Sequence, residues 1–275
     1  MRILACLLTL SLWPPQPLAA WGHKGHEIVA ALACRDLPPE LSPWLQGRED
    51  ILRDHVNDPD GWRNSDPLEG ARHFLDSEAY GGPGSVPLAM TDAQARLGPV
   101  EFAKDGQVPW VIQDRVQELV KAFQGGDPAK VAFAAAILCH YVGDLNVPLH
   151  TTANYNGQFT GQTGVHARWE TGLVERLGAW DPKVRTATLN DHAYFDPFLW
   201  LRQSNAWVQP LLQDDLDATG PGPAETQWNA RNSNYWHEFS RLQGPTVKEQ
   251  LARAGQRTAQ MILLAWTLAG KPALS

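Results

Sequence analysis

Cysteine is scarce, with three in 275 residues. Cys6 lies in a leading apolar run, and only Cys34 and Cys139 stand beyond it. A disulfide-dense scaffold is therefore excluded, and so is a Cys-rich structural zinc site. Both thiols lie on apolar helical stretches, so they suit either one disulfide or two buried free groups. Basic runs are also absent, and the formal net charge is −7. Electrostatic capture of duplex nucleic acid by a basic face is not indicated. An acidic chain still binds phosphodiesters where bound cations reverse the local field. Long Val/Ile/Thr alternations are missing, which argues against sheets. Asn-x-Ser/Thr does not occur, so N-glycosylation is not expected. A strongly amphipathic basic helix of the membrane-surface type is lacking as well.

The leading run, Met1-Arg2 followed by apolar residues 3–12, reads as a short secretory signal. It is too short for a stable membrane span. Ala19-Ala20 permits cleavage before Trp21, although Leu18 is less usual than Ala at the minus-three position. The expected organisation is a signal peptide over 1–20 and a single domain over 21–275, exported to the periplasm or the medium. Removing Arg2 takes the net charge from −7 to −8. The mature length suits one domain.

Apolar residues recur at the helical period. The pattern predicts helices at 26–36, 39–55, 109–123, 128–146, 165–177, 197–214, 234–242 and 247–268. Pro128 after Asp127 reads as a capped first turn, and Pro148 stops the central helix. Gly/Pro/Asn-rich loops are expected at 57–72, 81–87, 154–164 and 219–225. Neither an internal repeat nor a long linker is present. The fold class is all-α, with a buried central helix. Twelve Trp are present, mostly suited to core or rim packing.

On that central helix His140 and Asp144 are four apart, and His166 and Glu170 repeat the spacing. Residues four apart share one helix face. A carboxylate on a stretch otherwise rich in Ala, Leu, Ile and Val is costly to bury unless paired or metal-bound. Imidazole and carboxylate are zinc ligands. With His150 between the two pairs, the pattern points to more than one metal. Upstream, Trp21 would carry a free α-amine after cleavage, and such an amine sheds its proton to a metal. His26 lies five residues on, while His23 is expected to face solvent. Asp60 and Arg63 place an acid beside a phosphate-binding fork, though alone they read as an ordinary turn. His73, Phe74 and Asp76 follow.

Taken together, Trp21…His26, Asp60-Gly61-Trp62-Arg63, His73-Phe74-Leu75-Asp76, His140-x3-Asp144-x5-His150 and His166-x3-Glu170 resemble the single-strand-specific zinc nucleases of the S-one/P-one type. They also resemble the related bacterial zinc-dependent phospholipases C. The resemblance covers 21–170; beyond that it is one of helical character only. It implies a mostly helical fold and three zinc ions in a cleft. One would use Asp60, His73, His140 and Asp144. A second would use the Trp21 amine and carbonyl, His26 and a bridging Asp144. The third would use His150, His166 and Glu170. It further implies attack by a zinc-activated water oriented by Asp60, with Arg63 stabilising phosphoryl charge. Phe74 and Asp76 match positions that hold a nucleobase in the nucleases; otherwise Phe74 is core packing and Asp76 orients a ligand. Tyr155 and Phe159, in the 154–164 loop, are candidates to line the cleft. At the last ligand the fungal nucleases usually carry Asp, whereas Glu170 is the phospholipase choice and that of many bacterial nuclease-type members.

The expected activity is endonucleolytic hydrolysis of single-stranded DNA and RNA to 5′-phosphorylated products, with 3′-nucleotidase activity as a further reading, by a monomer whose partner is the substrate strand. The alternative is a phospholipase C, for which Trp62, Trp110 and Trp169 are candidates for an interfacial rim. A non-enzymatic zinc-stabilised binding domain is the third reading.

Overall fold

A computed structural model describes residues 21–45, 47–178, 180, 195–220 and 232–273. The expected signal peptide and most of the 219–225 loop lie outside the described residues. Among those described there is no strand; an isolated bridge pairs Leu75 with Gly106.

The helices, in order, are α1 (Gly22–Asp36), α2 (Ser42–Leu45), α3 (Glu49–His55), α4 (Asp58–Trp62), α5 (Met90–Leu97), α6 (Pro99–Lys104), α7 (Val108–Gly125) and α8 (Pro128–Leu145). Next comes α9, an irregular helix. It is α-helical over Val165–Ala167, π-helical over Arg168–Leu173 and α-helical again over Val174–Arg176. It is followed by α10 (Pro197–Asn205), α11 (Val208–Thr219) and α12 (Ser233–Leu268).

Helix α8 organises the rest. Asp127 caps it by accepting from the backbone N–H groups of Ala129 and Lys130, at 3.0 and 3.4 Å. From residue 135 to residue 152 every position is buried. A helix apolar on all sides belongs in the interior, and α1, α3, α7 and α12 pack around this one. No described helix is long and apolar enough to cross a membrane.

Several predicted boundaries are corrected. The helix expected at 39–55 is broken into α2 and α3, and Gly47 between them takes a left-handed φ of 78°. The expected loop 57–72 holds α4 and a 3-10 turn, Glu69–Arg72. A further 3-10 turn, Pro83–Ser85, lies in the expected loop 81–87. The helix expected at 197–214 splits into α10 and α11, and Pro210 falls in the first turn of α11, where a missing N–H is harmless. Conversely, 234–242 and 247–268 form one helix of 36 residues with Pro245 inside it. Packing of α12 along α1, α7, α8 and α11 outweighs the one lost backbone bond. Cys34 and Cys139 are free thiols, half-buried and buried, and burial pushes the Cys34 thiol up to about 12.

Most of the tryptophans whose burial is described are core: Trp21, Trp44, Trp110, Trp169 and Trp200 are at most 3% exposed, and Trp236 is 9% exposed. Trp110 and Trp169, expected at a lipid-facing rim under the phospholipase reading, are therefore interior. Their indoles donate to the Leu88 carbonyl and to Gln243.

Candidate metal centre

Four helices and two turns deliver the ligand-type side chains. Helix α8 contributes His140 and Asp144, both fully buried. Helix α1 lays His26 against them, with the His26 and His140 rings stacked 4.0 Å apart. Gly143 permits this approach. A Cβ there would lie 3.0 Å from His26 Nδ1 and 3.5 Å from Trp21 Cδ1. The Trp21 indole donates to the Gly143 carbonyl at 2.6 Å and packs on Trp169.

The segment carrying His73 is wedged between α7 and the 3-10 turn Pro148–Thr151. Leu75 N–H donates to the His150 carbonyl at 2.9 Å, and Val108 N–H donates to the Phe74 carbonyl at 3.1 Å. Gly106 allows that contact, because a Cβ there would meet the Phe74 carbonyl oxygen at 2.2 Å. Asp60 projects from α4, next to Arg63 at 3.1 Å.

The atoms converge in three groups: His73, His140 and Asp144; His26, Asp60 and His140; and His150, His166 and Glu170. In the first, His73 Nδ1 is 2.8 Å and His140 Nε2 3.2 Å from Asp144 Oδ2. Asp60 Oδ1 is 3.9 Å from His73 Nδ1, and His26 Nε2 is 3.5 Å from Asp144 Oδ1. In the third, His150 Nε2 and His166 Nε2 are 3.1 Å apart. Glu170 Oε2 is 2.9 Å from His166 Nε2 and 3.6 Å from His150 Nε2. Tetrahedral zinc at about 2.0–2.1 Å from its ligands separates them by about 3.4 Å, which these distances bracket.

Proton bookkeeping tests whether a cation fits. His140 Nδ1 donates to the Val56 carbonyl at 2.7 Å, and His150 Nδ1 to the His73 carbonyl at 3.0 Å. Such outward N–H bonds fix the tautomer of metal-binding histidines. Each leaves a bare Nε2 aimed at other acceptors. His73 Nε2 turns to Glu69 Oε1 at 3.3 Å, which frees Nδ1 toward Asp144. Both oxygens of Asp60, both nitrogens of His26, Asp144 Oδ1 and Glu170 Oε2 are buried without a hydrogen-bond partner. Converging lone pairs and anions of this kind are expensive unless a cation or protons stand between them. The donor set, imidazole with carboxylate and no sulfur, fits zinc.

The electrostatics agree. Burial raises the Asp144 carboxyl, but His140, His26 and His73 outweigh it and hold the group well below the carboxylate range. Burial also raises Glu170, and His166 and His150 reverse it to a net lowering. Burial, assisted by His140, pushes the His26 imidazole down.

A cleft over this floor is lined by Arg63, His73, Phe74, His150, Tyr155 and His166, with Gly70 and Leu149 between them. Phe74 is thus in the cleft. Asp76 is not among the lining side chains; it sits behind, where burial and then Glu78 and Asp105 push its carboxyl up to about 7. Phe159 is largely exposed and does not line the cleft. His23 is exposed, as expected. Of the nine expected ligand residues, the side chains of His26, Asp60, His73, His140, Asp144, His150, His166 and Glu170 come together. For Trp21 the structure places a packed indole beside them.

One participant escapes a reading of the sequence. Glu69 is 1% exposed and holds His73, Arg72 and the Tyr141 hydroxyl. Burial works to raise its carboxyl, yet its hydrogen bonds to His73, Tyr141 and Arg72 bring it down to about 2. Glu69 and His73 share the four-residue spacing of the other pairs, which was the available signal.

Two solved structures have a similar fold. The alpha toxin of Clostridium absonum aligns with a TM-score of 0.53 at 15% identity, over 92% of this chain and 66% of that one. The alpha-toxin of Clostridium perfringens from avian strain SWCP gives 0.50 and 15%, over 96% and 68%. This chain therefore spans about two thirds of their length, and at such identity the likeness is one of fold. No curated protein sequence matches the chain. Residues 21–266, nearly all of it and every candidate ligand named above, match the S1/P1 Nuclease family, and the chain belongs to that family.

Proposed function

We propose that the chain is a zinc-dependent phosphodiesterase that hydrolyses single-stranded DNA and RNA to 5′-phosphorylated products, with three zinc ions on the cleft floor. The observation that supports this most directly is the cleft itself. It sets an aromatic side chain, Phe74, and a guanidinium, Arg63, over groups of bare imidazole nitrogens and carboxylate oxygens. His73, His140, Asp144 and Asp60 hold one ion, and His26, Asp144 and the Trp21 α-amine a second. His150, His166 and Glu170 hold the third. Zinc in such a site supplies a Lewis acid and acidifies water towards neutrality.

The protein's own groups do the rest. Arg63 donates to the phosphoryl oxygens, and Asp60 beside it fixes the guanidinium and accepts a proton. Phe74 stacks on an unpaired base, a contact that favours single strands and tolerates many sequences. Export of the chain and cleavage before Trp21 belong to the same proposal, because only cleavage frees the Trp21 amine.

The test uses protein confirmed to start at Trp21, assayed on single-stranded DNA, RNA and phosphatidylcholine with and without a zinc chelator. Chelator-sensitive release of nucleotides is expected. Cleavage of the lipid alone overturns the nuclease assignment and makes Glu170 the better guide. No turnover of any substrate by the zinc-loaded protein points to a zinc-stabilised binding domain.

A further inference from the structure

Opposite the ligand face of α9 lies a buried ion pair that the chemistry above does not use. Arg168 stands between His166 and Glu170 in the chain. About 200° of helical turn separates it from His166, so its guanidinium points away from the metal groups. It is fully buried. Its Nε and Nη2 fork onto Asp215 of α11 at 2.9 and 2.8 Å. Nη2 also donates to the Gln162 carbonyl and Nη1 to the Thr163 carbonyl, each at 3.0 Å. The Tyr235 hydroxyl of α12 donates to Asp215 at 2.5 Å, and the Gln162 amide donates to it at 3.0 Å.

This network ties together three separate pieces: the end of the 154–164 loop, the π turn of α9, and the pair α11 and α12. A buried ion pair is weak evidence for stability, because desolvation offsets most of its attraction. It is a good device for fixing register. Register matters here, since a π turn inserts one residue relative to an α turn and rotates every later side chain about the helix axis. Glu170 lies inside that turn and His166 before it.

We propose that Arg168 and Asp215 are positioning residues for the His150/His166/Glu170 metal site, holding the π turn in the one register that brings Glu170 Oε2 to His166 Nε2. The inference rests on the metal-binding reading above.

The experiment measures zinc, not turnover. Zinc equivalents per chain are titrated against a graded chelator, alongside the thermal midpoint. The proteins are the unsubstituted protein, Glu170→Ala, the double variant Arg168→Met/Asp215→Leu, and Arg168→Lys. Glu170→Ala identifies the equivalent that belongs to this site. If Glu170→Ala changes no equivalent, the metal reading itself has failed, separately from this proposal. The double variant should fold, keep the other equivalents and hold this one about 10–100-fold more weakly, the range for losing an orienting partner of a metal ligand. Arg168→Lys, which keeps the charge but loses the fork, should weaken the same equivalent while leaving the midpoint near its original value. Unchanged affinity in whichever of these variants folds overturns the proposal. So does an equal loss at all sites, which would make the pair general scaffolding.

Discussion

Under the proposed mechanism, Asp60 is the residue on which the chemistry turns most directly. It touches Arg63, reaches His73 and His26, and has no hydrogen-bond partner of its own for either oxygen. Asp60→Ala should therefore lower turnover on single-stranded DNA by about 10²–10⁴-fold, the range for losing a general base, with the helical fold intact by circular dichroism. Retained turnover with full zinc content would sink the assigned role. Asp76 supports a prediction about pH. Its carboxyl is pushed up to about 7 by burial and by Glu78 and Asp105, against about 3.9 in an unfolded chain. A carboxyl raised in the folded state resists ionisation there. Its contribution is whole below about pH 4 and is lost as pH climbs through 7. In metal-free protein, Asp76→Asn should flatten the fall in urea midpoint across that window. Metal-free protein is specified because nearby cations would draw the value down. An Asn variant as steep as the original protein would show that another group carries the slope.

At the scale of the elements, the floor of the cleft depends on a close approach between the start of α7 and the His73–Leu75 segment. Gly106 takes φ 93°, and any Cβ there strikes the Phe74 carbonyl. Gly106→Ala should cost about 1–3 kcal/mol from the backbone conformation alone, read as a lower urea midpoint, and should also raise KM by moving Phe74. An unchanged midpoint would mean that the segment relaxes freely. The elements also show what a sequence conveys and what it hides. Helix α8 was legible because its apolar run, its Asp127 cap and the His140/Asp144 spacing are all local signals. So was the His166/Glu170 pair. Helices α5 and α6 were not, since only Ala93 and Phe102 of them are buried and no apolar stripe forms. Glu69 was lost with the turn that carries it, because Gly, Pro and Asn around it read as loop. The Arg168–Asp215 pair spans 47 residues, beyond the reach of any local pattern. Asp60 and His73 acquired meaning only from their order along the chain relative to the two helical pairs, not from their own surroundings.

Across the whole molecule, the candidate ligand groups sit where α1, α4, α8, α9 and the turns carrying His73 and His150 meet, so the site is also a junction of the fold. Bringing three carboxylates and five imidazoles together there is unfavourable without cations, since burial penalises the carboxylates and most of the ring nitrogens face acceptors. An ion that binds only the folded form stabilises it by mass action, by about 2.7 kcal/mol for one site at a free concentration one hundred times its Kd. Stripping the protein with a chelator should therefore lower its thermal midpoint by several degrees, and added zinc should restore it. Magnesium and calcium, which prefer oxygen ligands, should restore little. Because Asp144 faces His26, His73, His140 and His150 together, Asp144→Asn should remove most of the zinc-dependent part of the midpoint, whereas Glu170→Gln should remove only the share of one ion. Should chelation leave the midpoint unmoved while zinc analysis reads zero throughout, the groups hold protons instead of metal, and the histidines would then titrate together as pH falls. Should the two substitutions lower the midpoint equally, the three groups do not load as separate sites, and the cluster behaves as one cooperative unit centred on α8.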